Sequence, residues 1–86
     1  MRIRISNKFV GDKYPTFIVA EGGINHDGKI KTAKKLILKA KESNADAIKF
    51  QTFTATDLTS IKSKYYKSFK KLELQPHEFA ELADYA

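Results

Sequence analysis

Two short apolar runs, Thr16-Phe17-Ile18-Val19-Ala20 and Ala45-Asp46-Ala47-Ile48-Lys49-Phe50, flank a stretch of different period. From about Ile30, residues Ala33, Leu36, Ile37 and Ala40 fall at i, i+3, i+4 and i+7, one face of a helix. Lys34, Lys35, Lys39 and Lys41 lie mostly on the other face, and Ser43-Asn44 supplies the residues that end helices. The first run is β-branched and apolar, as in a strand buried on both faces. Two strands joined by a helix of about 13 residues cannot be a hairpin; the crossover makes them parallel, a βαβ unit.

The flanking segments fill in around this unit. Arg2-Ile3-Arg4-Ile5 alternates as a short strand with one wet face, and Phe9-Val10 suits its returning partner across Asn7-Lys8. The first strand of the unit stops at Glu21-Gly22-Gly23, and the chain turns through Asn25-His26-Asp27-Gly28. Thr52 to Ser60 reads as a hydroxyl-rich loop. Tyr65, Tyr66, Phe69 and Leu72 form a second helical stripe. Pro76 opens a last helix that carries Phe79, Leu82 and Ala83 inward.

Composition excludes several classes. With 86 residues there is room for one small domain, residues 1–86, and no second one. The absence of cysteine removes thiolate zinc sites, iron–sulfur clusters, thiol nucleophiles and disulfides, and fits a reducing compartment. No run approaches the ~18 apolar residues of a membrane span, and the start lacks a signal-peptide core, so a cytoplasmic chain is expected. The net charge is +6, but only Arg2 and Arg4 are arginines and the lysines coat helix faces. Solvated helix surface explains that charge better than nucleic-acid binding, which favours arginine.

Side chains alternate across a strand, so Ile18 and Ala20 share one face while Phe17, Val19 and Glu21 share the other. In the second strand Ile48 and Phe50 face the helices, and Ala47, Lys49 and Gln51 face away. Glu21, Lys49 and Gln51 therefore gather at the carboxyl ends of parallel strands, where α/β folds bind ligands. A lysine inside an apolar run needs a partner if it is buried, and Glu21 is the obvious one. Three readings stay open for the pair: a structural salt bridge, an anion grip by Lys49 with Glu21 as general acid or base, and a Schiff-base lysine. Gln51 would orient a substrate oxygen. Asn25, His26 and Asp27 are placed over the same rim. One histidine beside one aspartate does not make a metal site, and His77 at a helix start reads as a surface residue. Gly22-Gly23 matches no phosphate-loop fingerprint.

Two stretches carry a resemblance. Ile18-Val19-Ala20-Glu21-Gly22-Gly23-Ile24-Asn25-His26-Asp27-Gly28 resembles the "AEIGINHNG" signature of the sialic acid synthase family, and Ala45 to Phe53 resembles its "ADAVKFQTF". Lys71-Leu72-Glu73-Leu74 is similar to a later "KLEL" element, and the order and spacing agree. The resemblance implies a (β/α)8 barrel entered through a hairpin, and condensation of phosphoenolpyruvate with an N-acylated amino sugar such as N-acetylmannosamine. It implies that Glu21 is the catalytic glutamate, that Lys49 binds phosphoenolpyruvate and that Gln51 is an active-site neighbour. Asn25 and His26 would line or shape the site. It also disfavours the Schiff base. A divalent metal, typically manganese, is implied for the family, with ligands that do not correspond to His26 or His77. Gly22 stands where an apolar residue is usual, and looser packing behind Glu21 is expected.

A full barrel needs roughly 250 residues. The expectation is therefore an α/β fragment, the N-terminal hairpin plus the first βαβα units of a TIM barrel, about a quarter of it. Both sides of its two-stranded sheet should be exposed. Alone it should be catalytically inactive. The alternatives are a small basic module binding phosphorylated ligands, nucleic acid or a protein, and a non-catalytic homo-oligomer built through open strand edges.

Overall fold

The computed structural model describes residues 1–86 and contains two separate two-stranded sheets and four helices. Strands β1 (Arg2–Ile5) and β2 (Lys8–Gly11) pair antiparallel, with Arg2 opposite Gly11 and Ile5 opposite Lys8. Ser6, at φ 54°, takes the left-handed conformation that a two-residue hairpin turn demands. The Arg2 guanidinium stacks 4.3 Å from the centre of the Phe9 ring and donates to the Tyr14 hydroxyl at 3.0 Å. The one-wet-face expectation for β1 fails: Ile3 and Ile5 are exposed as well, because no helix packs against this hairpin.

The second sheet pairs β3 (Val19–Gly23) with β4 (Ala47–Phe50) in parallel, with Val19 opposite Ala47, Ala20 opposite Ile48 and Glu21 opposite Lys49. It starts later than the apolar run suggests. The Ile18 N–H donates to the Asp46 carboxylate at 2.8 Å, and the Ile18 carbonyl accepts from the Asp46 and Ala47 N–H groups at 2.8 and 3.2 Å. Asp46 also pairs with Lys8 of β2, so one carboxylate fastens the hairpin to the entrance of both parallel strands.

Between them, α1 (Ile30–Glu42) makes the crossover. Its C-terminus closes with Asn44 at φ 62°, the Asn44 N–H on the Lys41 carbonyl and the Ala45 N–H on the Ala40 carbonyl. This is a Schellman closure with asparagine in place of glycine. Ala33 and Ile37 of α1 form the core with Leu74 and Leu82, and Ile30, Ile48, Phe50 and Phe79 pack around them. One side of the β3–β4 sheet is thus covered, contrary to the expectation of two exposed sides; α1 must lie across a face to join parallel strands.

The hydroxyl-rich stretch is not wholly a loop. It holds a one-turn helix, α2 (Ala55–Leu58), with Thr54 ahead of it. The Asp57 carboxylate accepts from the Thr54 hydroxyl and N–H at 2.7 and 3.3 Å, and Glu73 accepts from the Ala55 N–H at 2.5 Å. Helix α3 (Tyr66–Leu72) buries no side chain, and Phe69 meets Phe53 edge-on at 6.5 Å. Tyr65 falls before this helix and is exposed. Helix α4 (Pro76–Tyr85) begins at its proline, with the Gln75 N–H on the Glu78 carboxylate at 2.8 Å. Leu82 is buried and Phe79 half-buried, but Ala83 is exposed, a correction to the expected inward face. One position further round the helix turns it away from α1.

Gly28 sits at φ +70°, and a Cβ there would lie 1.9 Å from the Lys71 carbonyl oxygen. Gly28→Ala is therefore expected to cost more than about 1 kcal/mol, through both the strained dihedral and the collision, as measured by urea unfolding. Lys8 and the Ile18 N–H hold the Asp46 carboxyl below the ordinary carboxylate range. A depressed folded-state value contributes stability above about pH 3.9 that is lost as pH falls through the folded value. Asp46→Asn should flatten the acid limb of the stability-against-pH curve while leaving its neutral plateau lower.

Candidate functional site

Parallel pairing sets Glu21 and Lys49 directly across from each other, and equal parity turns both to the sheet face that α1 does not cover. The Lys49 Nζ lies 3.5 Å from Glu21 Oε2, with the two side chains 68% and 62% exposed. The pairing read from the sequence is present, but the buried-lysine premise is not: nothing packs over this face, and Val19 beside Glu21 is exposed too. Such a pair contributes no more than about 1 kcal/mol to stability. Gln51 follows β4 in an exposed position, its N–H on the Gly23 carbonyl at 3.1 Å.

The ladder slips one residue beyond this pair. Gly23, rather than Gly22, faces Phe50, so Gly22 is the extra residue of a bulge. Gly22 is buried, and a Cβ there would meet Phe50 Cε1 at 2.8 Å and the Lys49 carbonyl at 3.2 Å. The expected looser packing behind Glu21 is overturned, because the Phe50 ring occupies the space that a side chain at position 22 would need.

The loop after β3 divides its residues. Asn25 is exposed, and its N–H donates to the Gly22 carbonyl at 3.0 Å. His26 is fully buried, its ring 6.0 Å from Phe50. It therefore sits with Phe50 behind the sheet, away from the face bearing Glu21 and Lys49, and not over the rim as expected. Its Nδ1 accepts from the Gly28 N–H at 2.9 Å, and its Nε2 has no partner. Burial pushes the imidazole pKa down, against the opposing pull of Asp27 and Glu78.

A cavity of about 600 Å³ opens beside the segment after β4, among Thr52, Thr54, Thr56, Asp57, Lys70 and Glu73. It does not reach Glu21 or Lys49, and its carboxylates are engaged. Asp57 holds Thr54, and Glu73 holds the Ala55 N–H and Lys70 Nζ at 2.9 Å. No three His, Asp or Glu side chains converge anywhere in the chain. Sequence reasoning missed Asp46, whose role depends on Lys8, 38 residues away in the chain.

A family model of the NeuB family matches residues 36–86, more than half of the chain. The chain belongs to the NeuB family. An uncharacterized protein of Methanocaldococcus jannaschii is 52% identical over 85 residues, 99% of this chain and 25% of the relative. The N,N'-diacetyllegionaminic acid synthase of Legionella pneumophila is 40% identical over 90 aligned positions, covering 88% of this chain and 25% of that enzyme. Among solved structures, the N-acetylneuraminic acid synthetase of Leptospira borgpetersenii, crystallised with citrate, superposes with a TM-score of 0.88 at 30% identity. That match covers 99% of this chain and 30% of the other. The α/β fold is thus that of sialic acid synthase structures, and this NeuB-family chain spans about a quarter of the length of the curated relatives it matches.

Because the Glu21–Lys49 pair is exposed, Glu21→Gln and Lys49→Met should each shift unfolding free energy by less than about 1 kcal/mol. Gly22→Ala should cost more than either, since it drives Phe50 out of place. Urea unfolding of the three variants checks this order.

Proposed function

We propose that this chain supplies the first parallel strands of a phosphoenolpyruvate-dependent sialic acid-type synthase, folded in the longer protein as a (β/α)8 barrel. The observation that carries the reading is the Glu21–Lys49 pair at the carboxyl ends of adjacent parallel strands, 3.5 Å apart and open on one side. Active sites of such barrels form at that end. The sugar-acid synthases among the relatives support the same class.

In this reading Lys49 grips the phosphate or carboxylate of phosphoenolpyruvate as a point charge, displacing its contact with Glu21. Glu21, freed from that contact, moves the proton that the condensation requires as general acid or base. Gln51 orients an oxygen of the N-acylated amino sugar, with Asn25 at the edge. The new bond joins the methylene carbon of phosphoenolpyruvate to the sugar aldehyde carbon, water adds, and inorganic phosphate leaves to give a nine-carbon 2-keto acid. The manganese-type cation implied by the resemblance takes its ligands from other residues of the longer protein, and the roles of Lys49 and Glu21 do not depend on it. We place the protein in the cytoplasm, consistent with a chain without cysteine and without a helix long and apolar enough to cross a membrane.

Alone, the chain should bind but not turn over. Phosphoenolpyruvate should shift the backbone amide signals of Glu21 and Gln51, and Lys49→Met should abolish those shifts. Glu21→Gln removes a like charge and a competitor, so it should tighten binding, by up to about fivefold. With phosphoenolpyruvate, N-acetylmannosamine and manganese, no phosphate release is expected, and clear turnover refutes the inactive-chain part of this reading. A second reading, self-association, is favoured by exposed Val19 on the sheet and exposed Ile18 just before it. A monomeric solution mass would remove it.

A further inference from the structure

His26 is the fully buried polar side chain that the proposed chemistry does not use. Its Nδ1 accepts the Gly28 N–H at 2.9 Å, which requires a ring with its proton on Nε2. The loop around it is tightly closed. The His26 carbonyl accepts the Lys29 N–H at 3.0 Å, and Gly28 is wedged against the Lys71 carbonyl. On its other side the imidazole lies 6.0 Å from Phe50, whose ring presses on Gly22 where a Cβ would sit at 2.8 Å. Gly22 is the extra residue that slips the ladder immediately after Glu21 meets Lys49.

A continuous line of contacts therefore runs from the imidazole through Phe50 and the Gly22 bulge to the backbone that aims Glu21. We propose that neutral His26 is a positioning residue for the Glu21–Lys49 pair, and that its protonation in acid releases the bulge and separates the pair. A proton on Nδ1 would face the Gly28 N–H, two donors head to head in a buried space, and the loop must open to relieve them. The charged groups facing the ring are Asp27 in its own loop and Glu78 of α4, both of which favour the cation. From β4 the neighbour is the uncharged Phe50, and α3 presents the Lys71 carbonyl to Gly28. Burial outweighs the two carboxylates, so the neutral ring persists to more acid pH than an unburied histidine.

The catalytic meaning of this device rests on the reading of Glu21 and Lys49 given above, but its test uses no ligand, so each can fail without the other. The isotope-labelled full chain is titrated by NMR from neutral pH into acid, with the ring protons of His26 and of exposed His77 followed separately. The expected result is that the amide signals of Glu21, Gly23 and Gln51 shift with the midpoint of His26, below about pH 6.5. The nuclear Overhauser effect between the Gly22 α-protons and the Phe50 ring should fade over the same interval. His26→Asn keeps an acceptor for the Gly28 N–H but cannot be protonated, and should abolish the step. In Phe50→Leu, His26 should still titrate while the β3 amides no longer follow it. The proposal is overturned if those amides stay still through the His26 midpoint in the wild-type chain. It is equally overturned if they move unchanged in His26→Asn, or if Gly22 and Phe50 show random-coil shifts at neutral pH. Should His26→Asn fail to fold, the wild-type and Phe50→Leu titrations decide the matter.

Discussion

Two strands running in the same direction cannot be joined by a tight turn, and nearly everything in this chain follows from how β3 and β4 satisfy that constraint. The connection must travel back along the sheet, so α1 lies across one face and buries Ala33 and Ile37 there. The covered face receives Ala20, Ile48 and Phe50, and the other face is left to Val19, Glu21 and Lys49. Because parallel register brings Glu21 opposite Lys49, the acid and base meet on the side that has no reason to exclude water. An exposed acid–base ion pair is thus produced by the same geometry that builds the core, with no need for a specialised loop.

The parts legible in the sequence are those governed by local period. The alternation of 2–5, the helical spacing of Ala33, Leu36, Ile37 and Ala40, and the proline at the start of α4 each appear where their patterns place them. Strand parity likewise placed Glu21 and Lys49 together, since it needs only chain direction and the knowledge that the strands are parallel. What escaped depends on contacts between distant segments. Asp46 looks like a polar interruption of an apolar run until Lys8 and the Ile18 N–H are brought to it. His26 looks like a loop residue, and only packing against Phe50 shows that it is enclosed. Gly22 invites the inference of a void, whereas an aromatic ring from the neighbouring strand has already filled it. The short helix α2 was hidden by its hydroxyl residues, which suit both loops and caps; Asp57 folded back on Thr54 decides between them.

The site is also instructive for what it lacks in depth. Eight residues in the whole chain are buried, and the central cluster holds four of them. The relatives of this NeuB-family chain are about four times as long. Val19 beside Glu21 is exposed on the uncovered face.

The hairpin stands apart from this economy. Its own stacking of Arg2 on Phe9 keeps β1 and β2 together, and a single carboxylate, Asp46, links it to the sheet. The molecule measures 51 Å along its longest axis and 26 Å across the next, and no helix packs against the hairpin. Native-state hydrogen exchange would then resolve two populations of amides, a hairpin that opens readily as a sub-global unit and a β3–α1–β4 body that opens only with the whole chain. The side-chain tie between the hairpin and the sheet is a single ion pair, Lys8 with Asp46, so ionic strength is the variable that weakens it.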